Sequence, residues 1–167
     1  IPMEYSIPTR GVIGLKTELM TSTHGHVIMH HVFDVYKAVN GPVTMGIPHG
    51  SLMASVPGSS TGYALDNAQE RGALFIGPGV EVYMGMVIGQ NARDQDMDIN
   101  VCKTKNLTNM RSSGADAAIN LTPPRPVTLE YAMEYIGEDE LVEVTPKYIR
   151  LRKKILDASR RKRPVRG

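Results

Sequence analysis

The chain has 167 residues, enough for one ordinary domain or two small ones, and 41% of them are hydrophobic, which supports a real core. Its single cysteine, Cys102, excludes a disulfide framework and fits a reducing cytosol, and no apolar run reaches the about 18 residues that a transmembrane helix needs. The formal net charge of +2 hides an asymmetry: residues 1–146 carry nine Lys/Arg and sixteen Asp/Glu, whereas residues 147–167 carry ten Lys/Arg and one acid. A basic C-terminal stretch of this kind indicates a polyanionic partner.

The start of the chain predicts a strand, a helix and a second strand. Residues 3–8 form the first expected strand, and Thr9 is a candidate cap for a helix over residues 10–23, whose apolar residues recur near the 3.6-residue period. Gly25 should end this helical unit. The β-branched run of residues 26–36 should then form the second strand.

Residues 41–122 consist of short apolar runs separated by glycines. Turn sequences such as GSSTG and GPG divide these runs, which is typical of a small, twisted, mostly antiparallel, barrel-like β module. One short helix is expected inside it at YALDNAQER, with Gly72 as its C-terminal stop.

A second helix is expected over residues 129–136, after a stiff proline-rich connector. Thr128 is its candidate cap, Glu130 lies in the first turn where the helix dipole favours an anion, and Gly137 should end it. The helical period places four apolar side chains on one face, which should be the buried one: Leu129, Ala132, Met133 and Ile136.

Residues 140–153 predict a β-hairpin, because the segments on either side of Thr145-Pro146-Lys147 alternate with a period of two. Leu141, Val142 or Val144 should face Ile149 and Leu151. The chain after residue 156 is too polar to pack and is expected to be a basic tail. The predicted fold class is therefore α+β, with a mostly antiparallel β domain, two short helices and a C-terminal hairpin after the first strand–helix–strand unit.

One glycine pattern resembles a phosphate-binding loop but does not match it. Gly11 and Gly14 are too close together for the Walker motif, and Leu15 separates the second glycine from Lys16. Glycines at a tight strand–helix contact explain the pattern better. We therefore expect no phosphate-binding loop in this chain, and no catalytic set of residues is evident.

Two further patterns resemble metal sites. The alternating acids of residues 94–98 imitate the start of a calcium loop, but Ile99 and Lys105 occupy the positions where such a loop needs Gly and Glu. Three histidines share the parity of one strand face without a thiol or carboxylate to complete a zinc site: His24, His26 and His30. The sequence therefore predicts no metal and no cofactor in this chain.

Residues 99–115 contain no acid and no aromatic residue. The candidate nucleic-acid-binding residues in this basic loop are Lys103, Lys105, Asn106, Asn109, Arg111 and Ser112. Cations, amides and hydroxyls of this kind bind phosphates and 2′-hydroxyls without a fixed base sequence, whereas the missing aromatics disfavour a base-stacking platform. The alternative is a plain surface loop.

A second cationic group lies on the hairpin and the tail. Strand alternation places Arg150 and Arg152 on one face, while Ile149 and Leu151 face the core. The predicted phosphate-binding residues of this group are Lys147, Arg150, Arg152, Lys153, Lys154, Arg160, Arg161, Lys162 and Arg163. The alternative is a solvated, frayed C-terminus.

Four stretches together resemble the C-terminal region of the TypA/BipA translational GTPases: IPTRGVIGLKTELMTSTHG, QERGALFIGPGVEVYMGMVIGQNAR, NVCKTKNLTNMRSSGAD and GEDELVEVTPKYIRLRKKIL. The resemblance implies three parts. Residues 1–38 would be the second half of an elongation-factor-G-like domain V with a ferredoxin-like fold, residues 40–156 the family-specific C-terminal domain, and residues 157–167 the basic tail. Because the chain begins with Ile1 and not Met, we also expect it to be part of a longer protein.

The same resemblance implies a cytoplasmic, ribosome-associated protein that acts in translation under stress and in large-subunit assembly. The basic loop would meet the A-site tRNA acceptor arm and 23S rRNA of the 70S ribosome, and GTP and Mg would bind in an N-terminal domain outside this chain. The competing hypothesis is a module that docks on ribosomal proteins or on the parent's own GTPase domain. Half of a ferredoxin-like sheet would also leave an unpaired edge through which an isolated fragment could dimerise.

Overall fold

A computed structural model of the chain describes residues 1–38, 49–104 and 120–161. The helices in these residues are α1 (Thr9–Val12), α2 (Leu15–Ser22), α3 (Gly62–Gln69), α4 (Leu129–Tyr135) and α5 (Ala158–Arg161). The strands are β1 (Ser51–Ala54), β2 (Gly58–Ser59), β3 (Gly72–Leu74), β4 (Glu81–Val82), β5 (Met86–Asn91), β6 (Met97–Ile99), β7 (Glu140–Val144) and β8 (Ile149–Lys153). None of these described helices is long and apolar enough to cross a membrane.

Most of the strands belong to one sheet with the order β6-β1-β5-β8-β7, and β3 also pairs with β5. The pairings are antiparallel except that of β1 with β6, which is parallel. β2 and β4 form a separate two-stranded antiparallel ribbon. The predicted α+β class with a mostly antiparallel sheet is confirmed. The described strands, however, leave this sheet open at β6 and β7, so it is not a closed barrel.

The sheet is covered on both faces, so its central strands are apolar at successive positions. In β1, Leu52 and Ala54 face a core shared with α3, whereas Met53 faces a core shared with α4. At most 1% of any of these three residues is exposed. Successive side chains of a strand point to opposite faces, so a strand that is buried on both needs an apolar run and not an alternation.

Helix α3 confirms the predicted short helix but not its predicted end. Thr61 Oγ1 accepts a hydrogen bond from the Ala64 N–H at 3.2 Å and so caps the helix. The helix ends at Gln69, and Gly72 instead opens β3. A Cβ atom at Gly72 would lie 1.9 Å from the carbonyl oxygen of Gln90 on β5. The close approach of two backbones therefore explains this glycine, and the prediction of a helix stop is wrong.

Helix α4 is capped by the Thr128 hydroxyl, as predicted. Two of the four side chains predicted to be buried are exposed instead: Leu129 by 50% and Met133 by 39%. The helix buries Ala132 and Tyr135, and the Tyr135 ring meets the ring of Phe75 with 5.3 Å between centroids. The helix forms as predicted, but it buries the neighbouring face, because Tyr135 on that face packs against Phe75 next to β3.

The predicted hairpin is confirmed as β7 and β8. Val142 lies opposite Leu151 and Val144 lies opposite Ile149, as two of the predicted pairs require. β8 then pairs with β5 and joins the hairpin to the centre of the sheet. Arg150 and Arg152 of the hairpin therefore lie on a strand that is hydrogen-bonded to the centre of the sheet.

The predicted single helix near the start of the chain is two short helices. Gly14 separates α1 from α2 in a left-handed conformation with φ of 82°, and Pro8, not Thr9, is the N-cap of α1. Gly25 ends the unit as predicted, because its φ is 85° and its N–H donates to the Met20 carbonyl at 2.7 Å.

Neither of the strands predicted at residues 3–8 and 26–36 forms. A strand is maintained by backbone hydrogen bonds to a neighbour, and in the described residues no strand pairs with these segments. Apolar side chains of the second segment consequently lie in solvent: Val32 is 89% exposed and Tyr36 is 92% exposed. The predicted strand–helix–strand unit is therefore wrong in its strands.

Candidate nucleic-acid interface

Arg150 and Arg152 form the arginine face of the hairpin, as strand alternation predicted. The Arg150 guanidinium lies 4.9 Å from the centre of the Tyr148 ring, a cation–π contact, and an Nη of Arg152 donates to the Lys153 carbonyl at 3.4 Å. Both arginines are half-buried. A guanidinium carries five N–H donors, so these contacts orient the side chains and leave donors for a phosphate or carboxylate ligand.

Glu143 lies opposite Arg150 in the hairpin, but Tyr83 occupies its carboxylate. The Tyr83 hydroxyl donates to Glu143 Oε2 at 2.6 Å. Burial, this hydrogen bond and the charge of Glu143 raise the pKa of Tyr83 well above its usual value, although the two arginines act in the opposite direction. Glu143 Oε2 thus accepts a hydrogen bond from a neutral phenol, while the carboxylate keeps its negative charge.

Lys153 corrects the sequence prediction. The prediction grouped Lys153 with the cations that meet phosphate, yet its side chain is 3% exposed and has the strand parity of the buried Leu151. Its Nζ lies 2.6 Å from Asp96, 3.0 Å from Asp139 and 3.0 Å from Glu140. Because three carboxylates surround it, this ammonium is not available to a phosphate, and its predicted role is wrong.

The electrostatics of this site favour a charged Lys153. Burial alone would lower the pKa of Lys153, but hydrogen bonds to Asp96 and Glu140, together with the charge of Glu140, raise it to about 12. Glu140 itself is 4% exposed at its side chain, so the pair at the centre of the cluster is a buried ion pair. Such a pair stabilises a fold only when both partners are present.

The same cluster connects distant parts of the sheet. The Ser51 hydroxyl at the start of β1 donates to Glu140 Oε1 at 2.5 Å, and the Ser51 N–H donates to Asp96 Oδ1 at 2.9 Å. The Tyr135 hydroxyl of α4 lies 2.9 Å from the Ser51 hydroxyl. Burial raises the pKa of Tyr135, so the phenol remains a neutral partner. Side chains thus link the edge regions of β6 and β7, which no backbone ladder joins.

Arg161 is also turned inward, contrary to its predicted contact with phosphate. Its Nη2 pairs with Asp98 Oδ1, and its Nη1 donates to the carbonyls of Ile155 and Leu156 at 2.9 and 2.6 Å. Only 12% of the Arg161 side chain is exposed. The remaining described cations of the hairpin and tail group are exposed: Lys147, Lys154 and Arg160. Lys162 and Arg163 lie outside the described residues.

The first residue of the basic loop, Lys103, is exposed, and its backbone is held by α3. The Thr61 hydroxyl at the start of α3 donates to the Lys103 carbonyl, and the Thr61 N–H donates to the Val101 carbonyl at 2.9 Å. Five predicted loop residues lie outside the described residues: Lys105, Asn106, Asn109, Arg111 and Ser112.

The chain after the loop is held by the other end of the same helix. Gln69 Nε2 donates to the Asn120 carbonyl at 3.0 Å, and Gln69 Oε1 accepts from the Thr122 N–H at 2.9 Å. Helix α3 thus contacts the chain on both sides of the loop, through Thr61 before its first turn and Gln69 at its last residue.

Sequence reasoning missed the residues that hold the cations in place. Asp96 and Asp98 resembled part of a calcium loop, but their carboxylates pair with Lys153 and Arg161. Among the described residues, no group of three or more His, Cys, Asp or Glu side chains could hold a metal ion. No local pattern could have shown these pairings, because the partners are 57 and 63 residues apart in the sequence.

The profile of the TypA/BipA C-terminal domain matches residues 49–158. The chain belongs to the TypA/BipA family. The profile of the elongation factor G C-terminus matches residues 2–45, in line with the resemblance of the first segment. The family match covers the sheet, α3, α4 and the hairpin, and so includes the described cations Lys103, Arg150 and Arg152.

Curated relatives extend the match over the whole chain. A protein of Haemophilus influenzae named large ribosomal subunit assembly factor BipA is 45% identical over 166 residues, which are 99% of this chain and 27% of the relative. Proteins of the same name from Salmonella typhimurium and Bacillus subtilis are 42% and 40% identical, over 100% and 97% of this chain and 28% and 26% of their own lengths. The chain thus spans about a quarter of these relatives.

Proposed function

We propose that this chain is the ribosome-binding C-terminal module of a TypA/BipA translational GTPase. It would meet the A-site tRNA acceptor arm and 23S rRNA of the 70S ribosome, and would act in large-subunit assembly and in translation under stress. GTP and Mg would be bound elsewhere in the parent protein, and the whole protein would be cytoplasmic. Family membership and the name of the relatives, which is large ribosomal subunit assembly factor BipA, support the ribosomal role.

The observation that supports the proposed RNA contact is that cationic side chains lie at the surface of a hydrogen-bonded scaffold. Arg150 and Arg152 lie on a strand paired with the central β5, and Lys103 follows a backbone tied to α3. Guanidinium and ammonium groups bind phosphates whatever the base sequence, as a factor that accepts many tRNAs requires. The residues of the basic loop that lie outside the described ranges remain part of this proposal on sequence grounds alone, as does the division into domains.

The test replaces the arginine face and measures binding. Arg150→Gln/Arg152→Gln should lower the affinity of the protein for a tRNA transcript and for ribosomes in co-sedimentation. The log–log dependence of tRNA affinity on salt should become shallower by about 0.7–0.9 for each phosphate that the variant no longer neutralises.

The matched control is Arg71→Gln/Arg93→Gln, which removes the same charge from two exposed arginines elsewhere on the sheet domain. If only net charge matters, the two double variants will bind equally weakly. Equal weakening would therefore contradict a role for the arginine face, and so would unchanged binding of the first variant.

A second candidate is a protein-docking module that contacts ribosomal proteins or the parent's own GTPase domain. The observation in its favour is the exposed apolar surface of residues 26–36, where Ile28 is 87% and Phe33 is 71% exposed. A flat response of ribosome binding to salt, together with a loss of binding in Phe33→Ser, would support this candidate over RNA.

A further inference from the structure

The turn that joins β7 to β8 presents an aromatic ring to solvent. Tyr148 follows Thr145-Pro146-Lys147 and directly precedes β8, and 57% of the residue is exposed. Exposure alone does not indicate a binding site, because single apolar residues are common on protein surfaces. The backbone that holds this ring and the side chains beside it are what distinguish Tyr148.

The backbone of Tyr148 is fixed by Thr145 at the other end of the turn. The Thr145 N–H donates to the Tyr148 carbonyl at 2.8 Å, and the Tyr148 N–H donates to Thr145 Oγ1 at 2.9 Å. The Thr145 hydroxyl also donates to the Tyr148 carbonyl at 3.0 Å. Pro146 restricts the turn further, because its own ring fixes φ. Since a tyrosine side chain has only two χ angles, it loses little conformational freedom when a ligand covers it.

Tyr148 begins a row of side chains that continues along one face of β8. Arg150 and Arg152 follow at alternate positions and so share this face. Alternate residues of a strand are about 7 Å apart, so the three side chains leave the backbone at regular intervals. The Arg150 guanidinium lies over the Tyr148 ring, 4.9 Å from its centre. The row therefore combines one aromatic ring with two cations.

The positive charge of this row is partly offset. Glu143 places a carboxylate opposite Arg150, whereas Lys147 beside the ring is exposed. A negative charge on the facing strand weakens ion pairing with a phosphate at Arg150, but it does not weaken stacking of an uncharged planar group on the ring. The site thus favours a ligand that carries a flat aromatic group next to phosphates.

We propose that Tyr148 and Arg150 form a stacking site for one unpaired RNA base, and that Lys147 and Arg152 bind the phosphates next to that base. The inference rests on the proposed RNA contact and deepens it, because it requires a base that is not paired. Proteins that recognise single-stranded RNA stack its bases on aromatic rings and on guanidinium planes. A base inside a duplex does not fit the site, since its neighbours in the helix cover both of its faces.

A stacking contact of this kind accepts any base, because every base has a π face. The hairpin would therefore distinguish single-stranded from paired RNA without selecting a sequence. Residues 99–115 contain no aromatic residue, so the hairpin supplies a type of contact that the basic loop lacks.

Two oligonucleotides of equal charge test the site. One is a single-stranded adenosine oligonucleotide, and the other has the same length and the same phosphates but carries no bases. The wild-type protein should bind the first at least about fivefold more tightly, which is the lower end of what one stacked base contributes. Tyr148→Leu should lose this preference. Tyr148→Phe should keep it, because the ring remains.

These two variants also separate the ring from the hydroxyl and from charge. A preference that survives in Tyr148→Leu would overturn the inference, and so would a loss of the preference in Tyr148→Phe. Neither variant removes a charge, so the salt dependence of affinity for the adenosine oligonucleotide should equal that of the wild-type protein. Because Tyr148 is exposed, both variants should fold, and thermal unfolding checks this.

Tyr148→Trp reports the contact directly. The chain contains no tryptophan, so this variant introduces a single indole fluorophore. A base that stacks on the indole should quench its fluorescence as the adenosine oligonucleotide is added, whereas the oligonucleotide without bases should not. Equal quenching by both, or no quenching when the adenosine oligonucleotide saturates the protein, would contradict the stacking site.

The two proposals fail in different ways. If the wild-type protein binds neither tRNA nor ribosomes in a salt-dependent manner, the proposed RNA contact is wrong, and the stacking site is wrong with it. If the wild-type protein binds RNA but does not distinguish the two oligonucleotides, the RNA contact stands and only the stacking role of Tyr148 is wrong.

Discussion

The two faces of β8 carry basic residues in opposite environments, one partly open to solvent and one buried. On one face, Arg150 and Arg152 are half-buried, whereas on the other face Lys153 is 3% exposed and enclosed by carboxylates. Alternation along the strand separates them, since Lys153 shares the parity of the buried Leu151. A run of cations in a sequence is thus not one surface: some of its side chains lie on the outward face of the strand, and others form ion pairs within the fold.

The largest expected effect is the loss of stability when Lys153, on the inward face of β8, is replaced. Lys153→Met should lower the free energy of unfolding by about 3–5 kcal/mol, because it leaves the buried Glu140 carboxylate without its cation. At about 2–4 °C per kcal/mol for a chain of this size, the melting temperature should fall by roughly 6–20 °C. Urea denaturation and thermal unfolding measure both quantities.

The neighbouring exposed lysine provides the control for this comparison. Lys154→Met should change stability by no more than about 0.5 kcal/mol. Lys153→Met/Glu140→Gln should recover part of the stability, since it removes the unpaired charge as well. Equal effects of the two lysine variants would show that the inward and outward cations do not differ.

The contribution of Lys153 to stability should decrease at alkaline pH, which is a smaller effect than that of replacing Lys153. The pKa of Lys153 is about 12 in the folded protein against an ordinary value of 10.5, so the folded state holds this proton more tightly. Its contribution to stability is complete below about pH 10.5 and is lost as the pH rises toward 12.

The difference in stability between the wild-type protein and Lys153→Met should therefore shrink over that range. Tyr83 and Tyr135 also have raised pKa values and destabilise the fold above pH 10, and Tyr135 belongs to the same cluster as Lys153, so the comparison is made with Tyr135→Phe in both proteins. Urea unfolding at pH values of about 9, 10.5 and 11.5 tests the prediction. A constant difference would show that the proton of Lys153 is not held by the cluster.

The smallest expected effect concerns the support of the chain after the basic loop. Gln69→Leu should remove the hydrogen bonds to Asn120 and Thr122 and cost about 0.5–1.5 kcal/mol for each of them. Amide hydrogen exchange at Thr122 should accelerate, because its N–H loses its acceptor. Asn67→Leu is the control, since Asn67 lies on the same helix and donates to the Tyr63 carbonyl of its own turn. Slow exchange at Thr122 in Gln69→Leu would show that α3 does not hold this end of the loop.

Short-range patterns predicted the local elements well. Thr128 as a cap, Gly25 as a helix end and the register of Val142 with Leu151 depend on residues a few positions apart, and all three are confirmed. The parity of Arg150 and Arg152 followed from strand alternation for the same reason. The resemblance of motifs predicted the family, which the match over residues 49–158 confirms.

Patterns over a few residues could not predict contacts between residues that are far apart in the sequence. Gly72 looked like a helix stop because nothing local showed β5 beside it, and residues 26–36 looked like a strand because their composition does not show whether a partner strand exists. The buried face of α4 was misplaced for the same reason, since Phe75 lies more than fifty residues away in the sequence.

By itself, the sequence determined the α+β class, the hairpin, the charge asymmetry and the family, because periodicity, capping and motif spacing act over short distances along the chain. Only the tertiary structure decided which cations remain available, by bringing Asp96 and Asp98 against Lys153 and Arg161. The physical reason is that an ammonium or guanidinium group enters a protein interior only where the fold supplies a carboxylate to meet it, and that carboxylate can come from any part of the sequence.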